Sequence, residues 1–127
     1  MISKLFLHLV LGIIVLAGGV SASEPSGLPA NITDRVNMSG MNMAGMNMSG
    51  MHMNQSDLRF SNLSRTNLKD AYLKSAWLSD ADISDAGLIN ADLTGAFLDN
   101  ADLQNSDLTG SILVNAKITN AKLNNAR

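Results

Sequence analysis

The chain has no cysteine. That excludes disulfides, thiolate metal sites and lipid anchoring through a thiol, so its compartment cannot be read from redox chemistry. Aromatics are nearly as scarce, with one Trp, one Tyr and three Phe in 127 residues, too few to supply the bulk of an ordinary globular core. Glutamate occurs once, at Glu24, and histidine twice, at His8 and His52. The formal charge of only −2 gives no electrostatic reason to expect nucleic acid as a partner. The length allows one small domain with extensions. What is plentiful is methionine: there are eight, and apart from Met1 all lie between Met38 and Met53.

The first 22 residues have the three-part layout of an export signal. Lys4 supplies positive charge, Leu5–Val20 is apolar but for His8, and Val20-Ser21-Ala22 sets small residues at −3 and −1 of a cleavage site. The apolar run of about 16 residues is short of the ~20 needed to span a bilayer, so membrane association is expected only if the signal stays uncleaved. The expected location is periplasmic or secreted. Residues 23–37, with Pro25, Gly27 and Pro29, read as a flexible linker.

From residue 56 onward the chain repeats. Leu or Ile stands at every fifth position without a gap: Leu58, Leu63, Leu68, Leu73, Leu78, Ile83, Leu88, Leu93, Leu98, Leu103, Leu108, Leu113, Ile118 and Leu123. Two residues before each of them sits Ala, Ser or Thr, and the remaining positions are mainly Asp, Asn, Ser, Thr and Lys. A period of five fits neither a helix nor a strand. It fits a chain that turns a corner every five residues, keeping each leucine on one axis. The residue two earlier shares its side of the backbone and must be small to fit beside it.

Units such as Ala81-Asp82-Ile83-Ser84-Asp85, Ala91-Asp92-Leu93-Thr94-Gly95 and Ala101-Asp102-Leu103-Gln104-Asn105 resemble the pentapeptide repeat family over residues 56–127. That resemblance implies an all-β fold, a right-handed quadrilateral β-helix with twenty residues per coil. Some members of the family mimic DNA and protect topoisomerases in the cytoplasm. The export signal and modest charge here argue against that role.

A twenty-residue coil stacks Asp57, Trp77, Phe97 and Lys117 in one outward column and Tyr72, Asp92 and Ile112 in another. Trp77, Phe97, Tyr72 and Ile112 are therefore candidates for a protein-interaction surface, although a ring pair that merely stiffens the face would look the same. The final coil is expected to present open edges, and end-to-end homodimerisation there is an expectation.

The methionine segment contains three M-x-M pairs, Met41/Met43, Met46/Met48 and Met51/Met53, preceded by Met38 and interrupted by His52. Thioethers are soft, neutral donors that favour Cu(I) and Ag(I) over hard cations, and imidazole also suits copper. Met38, Met41, Met43, Met46, Met48, Met51, His52 and Met53 are the candidate ligands. The segment resembles methionine-rich stretches of periplasmic copper- and silver-resistance proteins and the extracellular motifs of copper transporters. The alternative is an inert spacer on a structural or interaction module.

Met38, Met43, Met48 and Met53 also fall in phase with Leu58, while Met41, Met46 and Met51 fall in phase with the small residues. The segment could thus form one further coil lined by Met, or a degenerate repeat that stays loose until metal arrives. Overpacking by Met at small positions costs about 1–3 kcal/mol per site, and Gly40, Gly45 and Gly50 add backbone freedom. The loose form, set apart as residues 38–53, is expected.

The whole reads as a non-enzymatic exported solenoid with a soft-metal segment, since no pocket is expected on a regular rod. Export makes a direct prediction. N-terminal sequencing of protein recovered from outside the cytoplasm should begin at Ser23, and recovery of intact Met1 there would show that the signal is retained.

Overall fold

Each pentad builds one side of a tube, and the computed structural model describes this for residues 34–127. The signal at residues 1–22 and most of the expected linker lie outside the described residues. The central side chain of a pentad points inward. The residue before it forms a parallel bridge with the residue twenty further on, and the two after it make the corner. Only one residue per side is bridged before the chain turns, so the ladder is a series of isolated bridges rather than long strands.

Four columns of bridges give the tube four faces. The first runs through Asn37, Asp57, Trp77, Phe97 and Lys117, and the second through Asn42, Asn62, Asp82, Asp102 and Lys122. Asn47, Asn67, Gly87 and Asp107 form the third, and His52, Tyr72, Asp92 and Ile112 the fourth. The columns expected for Trp77–Phe97 and Tyr72–Ile112 are therefore present. Backbone bonds tie the coils at regular spacing: the Leu58 N–H donates to the Trp77 carbonyl at 2.8 Å, and the Trp77 N–H to the Ser56 carbonyl at 2.9 Å.

The corners explain much of the polar composition. In each, an N–H three residues on donates back to the central residue's carbonyl, as Ser61 does to Leu58 at 3.2 Å. The residue just before the donor takes positive φ, as in Asp70 (57°), Asn100 (60°) and Asn120 (58°). This is the geometry of a type II turn, which favours Gly and Asn at that point. Before the central residue, Asp or Asn accepts the N–H two positions on: Ser84 donates to Asp82 Oδ1 at 3.0 Å and Thr94 to Asp92 Oδ1 at 3.1 Å. Such Asx turns give aspartate a structural task in the repeat.

Inside, two kinds of layer alternate. Central side chains from Met38 to Leu103 are buried, and between them lie small residues such as Ala71, Ala76, Ala91 and Ala101. Where Ser or Thr replaces Ala, the hydroxyl is satisfied locally at three positions, while that of Ser111 in the last coil is buried without a partner. Ser61, Thr66 and Ser106 donate to the carbonyls of Leu58, Leu63 and Leu103 at 2.6–2.7 Å.

The solenoid starts earlier than expected. Asp34–Asn37 belong to it: the Arg35 N–H donates to the Asn54 carbonyl at 2.9 Å and Val36 joins the core. The methionine segment is not a loose repeat but the body of the first coil, residues 34–53, bridged to the second through Asn37, Asn42, Asn47 and His52. Two physical reasons override the expectation. Gly40, Gly45 and Gly50 sit at corners with φ of 67°, 72° and 67°, where their freedom is used rather than left over. Overpacking, for its part, penalises a side chain squeezed between two coils, and among the described residues no coil lies below the first.

The last coil, residues 108–127, mirrors this at the other end. Leu113, Ile118 and Leu123 are 38%, 46% and 42% exposed, because nothing among the described residues covers them. The core should accordingly be graded along the tube. Leu88→Ala, deep inside, is expected to cost about 2–5 kcal/mol in denaturant titration, and Leu123→Ala under about 1 kcal/mol. Equal losses would mean that the last coil is covered in solution.

Candidate functional site

The first coil sorts its seven sulfurs into two groups. Met38, Met43, Met48 and Met53 take central positions and are 0–2% exposed, sealed beneath the second coil, whose small residues Ser56, Ser61, Thr66 and Ala71 are likewise buried. Met41, Met46 and Met51 take the small-residue positions and are only partly buried, packed on the core from the side away from the second coil. Among the described residues they close this end of the tube together with Val36. The three side chains come from consecutive sides of one coil, in equivalent positions, and are partly exposed to solvent.

His52 does not join them inside. It occupies a bridging position on the outer face, where its ring stacks on Tyr72 with centroids 4.3 Å apart and planes 26° from parallel. Of the eight expected ligands, three thus share a reachable layer, four are locked in the core and His52 faces outward. Among the described residues, no group of three or more His, Cys, Asp or Glu is placed to hold a metal. Asp82 and Asp102 do stack, but Asp82 receives Ser84, and Asp102 receives the Gln104 N–H at 3.1 Å and Lys122 Nζ at 3.1 Å.

The Trp77 face is a second feature. Arg59 forms a two-pronged bond to Asp57, Nε to Oδ1 at 2.9 Å and Nη2 to Oδ2 at 2.7 Å, and its guanidinium lies 4.9 Å from the Trp77 ring centre. Lys117 Nζ covers Phe97 at the same distance. Arg59, Trp77, Ser79 and Phe97 line a shallow open cleft of about 280 Å³. Trp77 is 45% exposed, and Tyr72 and Ile112 on the neighbouring column are exposed to a similar degree. Sequence reasoning had picked out the rings but not Arg59, whose presence two residues after Asp57 was the available signal. It also passed over Phe60, an exposed aromatic at a corner with φ of 60°, where the repeat elsewhere favours Asn, Asp or Gly.

Several carboxylates are held below their ordinary range. Arg59's bond lowers Asp57 against an opposing effect of burial. For Asp92 burial pushes upward but is outweighed by bonds from Thr94 and Lys74, and for Asp102 by those from Gln104 and Lys122.

The pentapeptide-repeat family model matches residues 34–70, 66–105 and 86–125. Among solved structures, HetL, a pentapeptide repeat protein involved in heterocyst differentiation regulation from the cyanobacterium Nostoc sp. strain PCC 7120, is 28% identical with a TM-score of 0.55, over 73% of this chain and 41% of that one. QnrB1, a plasmid-mediated fluoroquinolone resistance protein, shares the fold at 20% identity with a TM-score of 0.68, over 77% of this chain and 53% of its own. This chain thus spans about half or less of either relative. No curated protein matches it. Among the described residues no helix is long and apolar enough to cross a membrane.

The lowered carboxylates give a pH dependence of defined sign. A depressed Asp57 contributes stability that is complete above its ordinary value of 3.8 and lost as pH falls through the folded value. Asp57→Asn should therefore melt slightly below the parent at pH 7, with the gap narrowing in acid below that range. Thermal unfolding across pH checks this, and a gap that is independent of pH would show that the ion pair adds nothing.

Proposed function

The chain belongs to the pentapeptide-repeat family, and on that premise we propose an exported, non-enzymatic solenoid that holds Cu(I) or Ag(I) at its methionine-lined end, in copper homeostasis or resistance. The observation that carries the reading is the layer of Met41, Met46 and Met51, three soft donors in equivalent positions that are neither fully buried nor fully free. Soft thioethers select monovalent coinage metals. They have no proton to lose, so binding persists in acid, and they cannot cross-link in an oxidising compartment. The four buried methionines serve as core beneath the site rather than as ligands. His52, stacked on Tyr72, offers an accessory imidazole on the adjoining face.

A second reading is favoured by the cleft of Arg59, Trp77, Ser79 and Phe97: a structural or interaction module that docks a protein on this face, with the first coil as an inert cap. Exposed rings beside cations are typical of interface anchors. In this reading the exposed Leu113, Ile118 and Leu123 are available for end-to-end association with a second copy.

Anaerobic Cu(I) titration against a competing chelator separates the readings. The parent should bind, and M41L/M46L/M51L should lose more than about tenfold in affinity. M38L/M43L/M48L/M53L, a volume-conserving change in the core, should retain binding. Unchanged binding in the first variant, or none in the parent, would discard the metal reading and leave the docking module.

A further inference from the structure

Seven chemically identical side chains are divided by the fold into accessible and sealed sets, and this has a consequence for oxidation that needs no metal. We propose that Met41, Met46 and Met51 form an oxidisable cap: two-electron oxidants such as hypochlorous acid convert them to sulfoxides, and sulfoxidation opens the first coil while the rod above it stays folded. The sulfur lone pair displaces chloride from hypochlorous acid. An S–O bond forms, the sulfide is oxidised by two electrons, chlorine is reduced to chloride, and the hydroxyl proton passes to water. Methionine sulfoxide is a polar, reducible product.

The order of attack follows from the layers. Met41, Met46 and Met51 are partly exposed, whereas Met38, Met43, Met48 and Met53 are sealed between them and the second coil. Reaction at the sealed set requires the coil to open first. Its opening is the physical result of the first step. A sulfoxide oxygen is a strong acceptor that must reach water, and these side chains are packed against the core cluster that includes the buried Met and Val36. Among the described residues the first coil is joined to the solenoid on one side only. Its ladder runs from the N–H groups of Met38, Met43, Met48 and Met53 to Asp57, Asn62, Asn67 and Tyr72 at 2.7–2.8 Å and from Gly40, Gly45 and Gly50 to Arg59, Ser64 and Lys69 at 2.8 Å, with return bonds from Asp57, Asn62, Asn67 and Tyr72 to the carbonyls of Val36, Met41, Met46 and Met51 at 2.9 Å. A terminal coil of a solenoid can detach without dissolving its neighbours. Leu58, Leu63, Leu68 and Leu73 would then form the new end.

Metal-free protein treated with limiting hypochlorous acid, then mapped by peptide mass spectrometry and amide hydrogen exchange, tests both halves. Sulfoxide should appear on Met41, Met46 and Met51 at least about tenfold faster than on the other four. Once it has, the amides of Met38, Met43, Met48 and Met53 should exchange rapidly while those of Leu78, Ile83, Leu88 and Leu93 stay protected. M41L/M46L/M51L, near-isosteric and expected to fold, should keep its first-coil amides protected at the same dose. A single rate for all seven methionines would overturn the proposal. So would a protected first coil carrying three sulfoxides, or loss of protection in the leucine variant.

Discussion

The left-handed corner is the constraint on which the rest of the molecule depends. Turning the chain after every fifth residue requires one residue per pentad at positive φ, a conformation that costs non-glycine residues energy. The repeat meets that cost locally. Asn, Asp and Gly occupy many of the corners, an N–H three residues on closes each turn, and an Asp or Asn side chain before the central residue braces its entry. With the corners set, side chains five apart converge on one axis, residues twenty apart stack, and the ladder forms between coils. Leucine burial then follows from geometry already imposed by the turns.

This division of labour decides where chemistry can reside. Aspartate is frequent, yet Asp82, Asp92, Asp102 and Asp107 are bound to the turns they brace. Those four carboxylates are thus committed to architecture. What departs from the repeat is a small set of side chains: the methionines of the first coil, the Arg59–Trp77–Phe97 cluster, and the uncovered aliphatics of the last. Each lies at an end or on an outer face, where the packing rules of the interior relax.

Periodicity made the tube legible, because a phase kept from Leu58 to Leu123 leaves few alternatives. The same arithmetic correctly stacked Trp77 under Phe97 and Tyr72 in line with Ile112. It stopped short at the first coil, although Met38, Met43, Met48 and Met53 are in phase with the leucines. A packing penalty valid between coils does not carry over to a coil that, among the described residues, is packed on one side only. Gly40, Gly45 and Gly50, which in isolation suggest flexibility, are spaced to match the corners. Both differences share a cause, since a periodic pattern reports where a side chain points but not what lies beyond it. Arg59 was missed for a related reason: its bond to Asp57 and its place over Trp77 join residues two and eighteen apart, and only the coil geometry brings those separations together.

The end of a solenoid poses a problem that the repeat itself does not solve, since the layer below the last central residues must be both apolar and tolerant of water. Alanine, adequate in the interior, leaves the central side chains uncovered there; leucine covers them, yet as an inert hydrocarbon. Methionine is long enough to lie across the opening, flexible enough to adapt to it, and carries a polarizable sulfur. The proposed affinity of this end for soft cations and its proposed oxidation are therefore both tied to its use as a closure. A side chain chosen to cover the tube exposes lone pairs in doing so, and three of them at equivalent positions in one layer concentrate at a single site what would otherwise be a generic property of surface methionine.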